Sequence, residues 1–141
     1  MPRLFLEGYE ATLTLGNTKG IDILIYNPKN NKQFKVEVKT STTISNECLF
    51  GGKVISWFMN KKHQIITDPT LIYCFVYINK TTKGYRIFFV PSKDIAEYCK
   101  WSHQHWLKSE HKKKVKDSDM RRFLVKSEDE SLFENNFSIF E

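Results

Sequence analysis

The sequence predicts an α/β domain that opens with an antiparallel meander of three strands and ends its main body with a helix. Three observations carry that expectation. Two polar turn clusters, at residues 16–20 and 27–32, cut the first forty residues into alternating, β-prone segments. A nearly continuous apolar run from Leu71 to Ile78 has the length and side-chain types of a buried strand. Finally, Ser92-Lys93-Asp94 opens a stretch with apolar residues at helical spacing.

Glu10 to Leu15 alternates and is rich in Thr and Leu, which suits a first strand. Gly16-Asn17-Thr18-Lys19-Gly20 is a turn with a positive charge at its tip. Ile21 to Tyr26 is strongly β-prone, and Gln33 to Lys39 alternates again after the Asn27–Lys32 turn. Residues 40–53 read as a polar loop closed by Gly51-Gly52. Val54 to Lys62 reads as a short helix with Ile55, Phe58 and Met59 on one side, although Val-Ile-Ser-Trp-Phe also suits a strand. Asn79 to Gly84 turns the chain into a strand from Tyr85 to Val90, ended by Pro91.

Ser92 is the expected N-cap of the helix, with Asp94 in its first turn where the helix dipole favours an acid. Ile95, Tyr98, Cys99, Ser102 and Trp106 form its core-facing stripe, and it is expected to end near Ser109. Residues 108–122 read as a mobile basic segment, and Arg122 to Val125 as a short strand. The tail alternates acids with Phe133, Phe137, Ile139 and Phe140, which would let it dock by those aromatics. The expected organisation is one domain over residues 1–126, with the acidic aromatic tail 127–141 docked on it.

Charge is unevenly spread. Residues 127–141 hold five acids and no Lys or Arg, so the net charge of +6 becomes +11 over residues 1–126. A basic body with an acidic tail suits a polyphosphate-binding surface, although a merely lysine-rich composition gives the same total. Cys48, Cys74 and Cys99 are scattered without a C-x-x-C pair, so neither a disulfide framework nor a zinc knuckle is expected, and Cys74 reads as core. No apolar stretch approaches the roughly 20 residues of a membrane span. The opening Met1–Glu7 segment is too short for a signal peptide, so a reduced, cytoplasmic setting is expected.

The second and third segments carry the candidate chemistry. With residues 27–32 as a hairpin loop, Tyr26 faces Gln33. Ile25 then faces Phe34, Ile23 faces Val36, Asp22 faces Glu37 and Ile21 faces Val38. One face is then apolar throughout and should be the core face. The other carries Asp22, Leu24, Tyr26, Gln33, Lys35, Glu37 and Lys39. Two opposed carboxylates, with Cβ atoms roughly 4.5–5.5 Å apart, repel unless something positive lies between them. A divalent cation, Mg²⁺ or Mn²⁺, is the natural candidate, with the Val38 carbonyl completing its shell.

Such a cation would polarise a phosphoryl oxygen and acidify a bound water, while Lys39 would hold the attacking water or the charge developing on phosphorus. Gly20, opposite Lys39 in this register, leaves room for a phosphate. Lys19, Lys35, Thr40, Ser41, Lys112, Lys113, Lys114 and Lys116 are candidate contacts to a nucleic-acid backbone. The same charges would also make an ordinary solvated ion-pair network, because Glu-x-Lys recurs by chance in charged strands.

Gly20-Ile21-Asp22 followed by Val36-Glu37-Val38-Lys39-Thr40 resembles the core of the PD-(D/E)XK nuclease superfamily, which includes restriction enzymes and archaeal Holliday-junction resolvases. With Gly16 to Asp22, the 71–78 strand, Val90-Pro91-Ser92 and the helix bearing His103 and Trp106, the chain looks like an uncharacterised bacterial branch of it. The resemblance implies a restriction-endonuclease-like mixed sheet flanked by helices, and a DNA endonuclease using Asp22, Glu37 and Lys39. The alternative it leaves open is a catalytically inactive nucleic-acid-binding module of the same fold.

In such proteins a helix ahead of the first strand often supplies another acid. Here that helix is short or missing, and Glu7 and Glu10 are the nearby acids. Its loss would bare apolar surface and favour a homodimer. Among other residues, His103 and His105 point to different sides of a helix, and His111 lies beyond it, so no zinc site is expected. His63 reads as a surface residue. Trp57 and Trp106 read as core, and Trp101 as the exposed tryptophan.

Overall fold

The computed structural model describes residues 2–15, 20–47, 52–108, 117–127 and 131–141. Eight strands and two α-helices account for most of them: α1 (Pro2–Leu6), β1 (Glu10–Leu13), β2 (Ile23–Asn27), β3 (Lys32–Ser41), β4 (Ile44–Glu47), β5 (Gly52–Asn60), β6 (Leu71–Ile78), β7 (Tyr85–Pro91), α2 (Ser92–Lys108) and β8 (Met120–Lys126). Single 3₁₀ turns lie at Lys61–Gln64 and Phe137–Phe140. The expected architecture is present: a mixed α/β chain with a five-stranded sheet ordered β1-β2-β3-β6-β7, opening with an antiparallel meander. Among the described strand pairs only β3–β6 is parallel. No helix among the described residues is long and apolar enough to cross a membrane.

The hairpin register follows from side-chain alternation. Tyr26 pairs with Gln33, Ile25 with Phe34 and Ile23 with Val36, and Asn31 takes the left-handed conformation (φ 58°) that closes the turn. A one-residue slip would carry Ile25 and Val36, each 1% exposed, to the other face. Those two side chains join Ile72, Cys74 and Phe89 in one core layer, which Leu4 of α1 and Phe137 and Phe140 of the tail cover. Phe140 packs edge-on to Tyr9, Phe34 and Phe89, and Asn27 Nδ2 donates to its carbonyl at 3.0 Å.

The opposite face of the sheet is also a core. Tyr73 and Phe75 of β6 and Phe88 and Val90 of β7 pack there against Trp57, Ile95, Cys99 and Phe123. Burial on both faces explains why the 71–78 run hardly alternates.

Two expectations are corrected here. The segment 54–62 is not a short helix: β5 runs through Asn60, and its Val54, Ile55, Trp57 and Met59 are all buried. The polar stretch 40–53 is not simply a loop, because β3 continues to Ser41 and β4 follows. Together β4, β5 and β8 make a second, three-stranded antiparallel sheet that shares with α2 the covering of one face of the first. The cause is tertiary. Nine residues rich in Val, Ile, Trp and Phe are good strand formers once β8 is available to pair with them.

The α2 stripe is right in its first half only. Ile95 and Cys99 are wholly buried, whereas Trp106 is 38% exposed, and Trp101 is 50% exposed as anticipated. Ser92 opens α2 as expected, and its hydroxyl donates to the Asp68 carbonyl at 2.6 Å.

Candidate active site

The ladder between β2 and β3 ends at Ile23–Val36, one pair short of the expected Asp22–Glu37 pairing. The Asp22 N–H donates to the Val36 carbonyl at 2.8 Å, so residues 22 and 23 share one partner residue, as at a bulge. Asp22 then reaches across with its side chain: Oδ2 accepts the Val38 N–H at 2.7 Å. A short carboxylate side chain competing with a backbone carbonyl for that amide accounts for the early end of the ladder. Gly20 turns the chain into this position with φ 71°, a conformation that suits glycine.

Glu37 and Lys39 leave β3 on the face opposite Val36. Lys39 Nζ lies 2.9 Å from Glu37 Oε1, with the two side chains 28% and 9% exposed. This is not the solvated network that Glu-x-Lys alone allows, because the carboxylate is nearly out of water. On β6 its cross-strand neighbour is Tyr73, and on its other side a Cβ at Gly20 would stand 3.6 Å from Oε2. Burial pushes the Glu37 carboxyl pKa up. The His63 and Lys39 N–H groups beside it outweigh that, and the group lies below its ordinary value.

His63 is the residue sequence reasoning missed. It is 1% exposed, not a surface side chain, and its Nε2 approaches Glu37 Oε1 at 3.6 Å. It sits on the 3₁₀ turn after β5, against which α2 packs. The only local signal was Asn60 followed three residues later by a ring nitrogen that can bond back to its backbone, and Lys61 and Lys62 masked it.

The remaining candidates divide. Lys35 is committed to an ion pair with Asp68 at 2.8 Å. Ser41 Oγ accepts the Thr43 N–H at 3.0 Å in the turn before β4, and Thr40 is exposed. Lys19, Lys112, Lys113, Lys114 and Lys116 lie outside the described residues. Glu7 pairs with Arg3 on α1, on the side of the sheet away from Glu37.

The Lys35–Asp68 pair gives a pH prediction. Lys35 and the Thr70 hydroxyl and N–H hold the Asp68 carboxyl down at about 2. A carboxylate depressed by folding stabilises the protein above its unfolded value, and that contribution is lost as pH falls toward the folded value. Asp68→Asn is therefore expected to cost stability at pH 7, and the deficit should shrink to nothing near pH 2. Both side chains are over a third exposed, so the deficit at pH 7 should stay within about 1 kcal/mol. Urea melts of the two proteins at several pH values check this.

Among the described residues no three His, Cys, Asp or Glu side chains lie close enough together to hold a metal ion. Asp22, Glu37 and the Val38 carbonyl are hard oxygen donors, and Gly20 leaves Glu37 Oε2 clear of side chain. That donor set fits Mg²⁺ or Mn²⁺, because Mg²⁺ is commonly held by one or two carboxylates with water filling the rest of its shell.

No protein-family model matches the chain, and neither does any curated protein. Among solved structures it is similar to a bacterial homing endonuclease, I-Ssp6803I, with a TM-score of 0.47 and 11% identity over 99% of this chain and 75% of that one.

Proposed function

We propose that the chain is a metal-dependent DNA endonuclease whose site is Asp22, Glu37 and Lys39, with Mg²⁺ or Mn²⁺ held by Asp22, Glu37 and the Val38 carbonyl. One observation carries the reading. A carboxylate only 9% exposed is kept ionised beside a reachable ammonium group and faces a glycine, and two residues after that glycine a second carboxylate is tethered to the Val38 N–H of the same strand. Burying a charged pair costs desolvation that an apolar pair would avoid, so a site of this kind is better explained by chemistry than by stability.

The chain's own residues would act as follows. Lys39 places its charge where negative charge develops on phosphorus, or holds the attacking water there. Glu37 and Asp22 supply the anionic oxygens. Lys61 and Lys62, exposed on the turn that carries His63, join Lys39 as cations able to meet a phosphate backbone. When bound, the metal would supply Lewis-acid polarisation of the phosphate and a water of lowered pKa.

A second reading has its own support. Because no three His, Cys, Asp or Glu side chains among the described residues are placed to hold a metal ion, the same fold would serve as a nucleic-acid-binding module without cleavage. Supercoiled plasmid incubated with the purified chain separates the two. Nicked and linear products with Mn²⁺ or Mg²⁺, absent with EDTA and absent in Asp22→Ala, are the expected result. Salt-sensitive binding with no cutting at any metal concentration would establish the binding module instead. A chain that neither cuts nor binds overturns both.

A further inference from the structure

We infer that His63 is the positioning residue of this site: its Nε2–H holds Glu37 Oε1, so that Oε2 is the oxygen turned to the metal. The inference rests on the metal-site reading above, but its geometry stands by itself.

The ring is fixed from behind. Asn60 N–H donates to His63 Nδ1 at 2.8 Å, and Asn60 Oδ1 takes the Lys62 N–H at 3.3 Å, which closes the turn around the imidazole. A nitrogen that accepts has no proton, so the ring's proton belongs on Nε2. The other tautomer would use the longer approach of Nδ1 to the Asn60 carbonyl, 3.2 Å. The Tyr73 ring then meets His63 edge-on, with centroids 5.6 Å apart.

Nε2 is buried without a hydrogen-bond partner, and Glu37 Oε1 lies 3.6 Å from it. That separation exceeds a formed hydrogen bond and is short enough to close by a small rotation of the carboxylate. A buried ring N–H left unpaired is costly, and a core position of this size is ordinarily filled by Phe or Leu. Lys39 takes the same oxygen at 2.9 Å. Lys39 thus holds Oε1 and His63 Nε2 faces the same oxygen at 3.6 Å, while Oε2 is left toward Gly20, the side from which Asp22 follows two residues later. Donors behind a ligating carboxylate fix its orientation in just this way, and their removal typically weakens metal binding by about 10–100-fold.

The test uses the full chain at one fixed pH, with two readouts. Nitrogen-15 NMR of the metal-free protein should give His63 Nδ1 the signature of a lone-pair nitrogen and Nε2 that of a protonated one. Mn²⁺ binding, followed by the EPR signal of free Mn²⁺, should weaken about tenfold or more in His63→Leu, which keeps the bulk. It should stay near wild type in His63→Gln, whose amide N–H can reach the same oxygen. A protonated Nδ1 overturns the inference. So does equal Mn²⁺ affinity in all three proteins, or an equal loss in both variants. If the wild type binds no Mn²⁺, the metal-site reading is what fails. His63 is then judged by the ring nitrogens and by whether the Glu37 carboxylate carbon shifts in His63→Leu but not in His63→Gln.

Discussion

Replacing Lys39 with alanine is expected to lower DNA cleavage by about two to three orders of magnitude, the usual cost of removing one preorganised group that meets transition-state charge. The same change also strips Glu37 of the ammonium 2.9 Å from its Oε1. A carboxylate left in a nearly closed site without its cation destabilises the fold, here by about 1–3 kcal/mol, because the Lys39 side chain retains some water. The two effects are separable. Adding Glu37→Gln to Lys39→Ala replaces the stranded charge with a neutral amide, so the double variant should recover most of the lost stability. It should recover none of the cleavage, since a carboxylate of the proposed metal site has gone as well. Chemical denaturation and plasmid cleavage on the four proteins of this cycle supply the measurement. If Lys39→Ala cuts at the wild-type rate, Lys39 has no role in the chemistry. If stability fails to return in the double variant, the Glu37–Lys39 pair is not what holds this corner of the sheet.

How much of this site could be read in the sequence depends on how local each contact is. The β2–β3 register was legible because alternation has a period of two and a slip would expose Ile25 and Val36. The early end of that ladder was not legible. It depends on the Asp22 carboxylate winning the Val38 amide, which pattern alone cannot distinguish from regular pairing. His63 was hidden for a different reason. Asn60-Lys61-Lys62-His63-Gln64 is polar throughout, and the histidine is buried only because α2 and β6 close over that turn. The sheet β4-β5-β8 was illegible as a sheet, since Val54 pairs with Lys126 far along the chain and neither strand announces its partner. Trp106 sits at the right helical spacing for burial, yet it is 38% exposed and stacks on His103 of its own helix.

Trp57 is where the two sheets are joined, and Trp57→Ala should be among the most damaging single changes to the fold. The indole is 1% exposed, and it lies against Phe75 of β6, Phe88 of β7 and Phe123 of β8, with ring centroids 5.2–5.9 Å away. Its Nε1–H donates to the Val76 carbonyl at 3.0 Å, so β5 of one sheet is tied to β6 of the other. Truncation leaves a cavity that three aromatic rings cannot easily fill and removes a donor from a backbone carbonyl. The expected cost is about 4–5 kcal/mol. For a chain of this size that lowers Tm by roughly 10–15 °C. Trp57→Phe keeps most of the volume and loses the N–H, so about 1–2 kcal/mol is expected. Calorimetric melts of the three proteins check the order. Glu37 and Lys39 project from β3 of the first sheet, while His63 hangs from the end of β5, which packs on that sheet through Trp57 together with Ile55 and Met59. In any Trp57→Ala protein that remains folded, His63 should therefore drift from Glu37, and its ring-nitrogen signals should move toward those of an exposed imidazole.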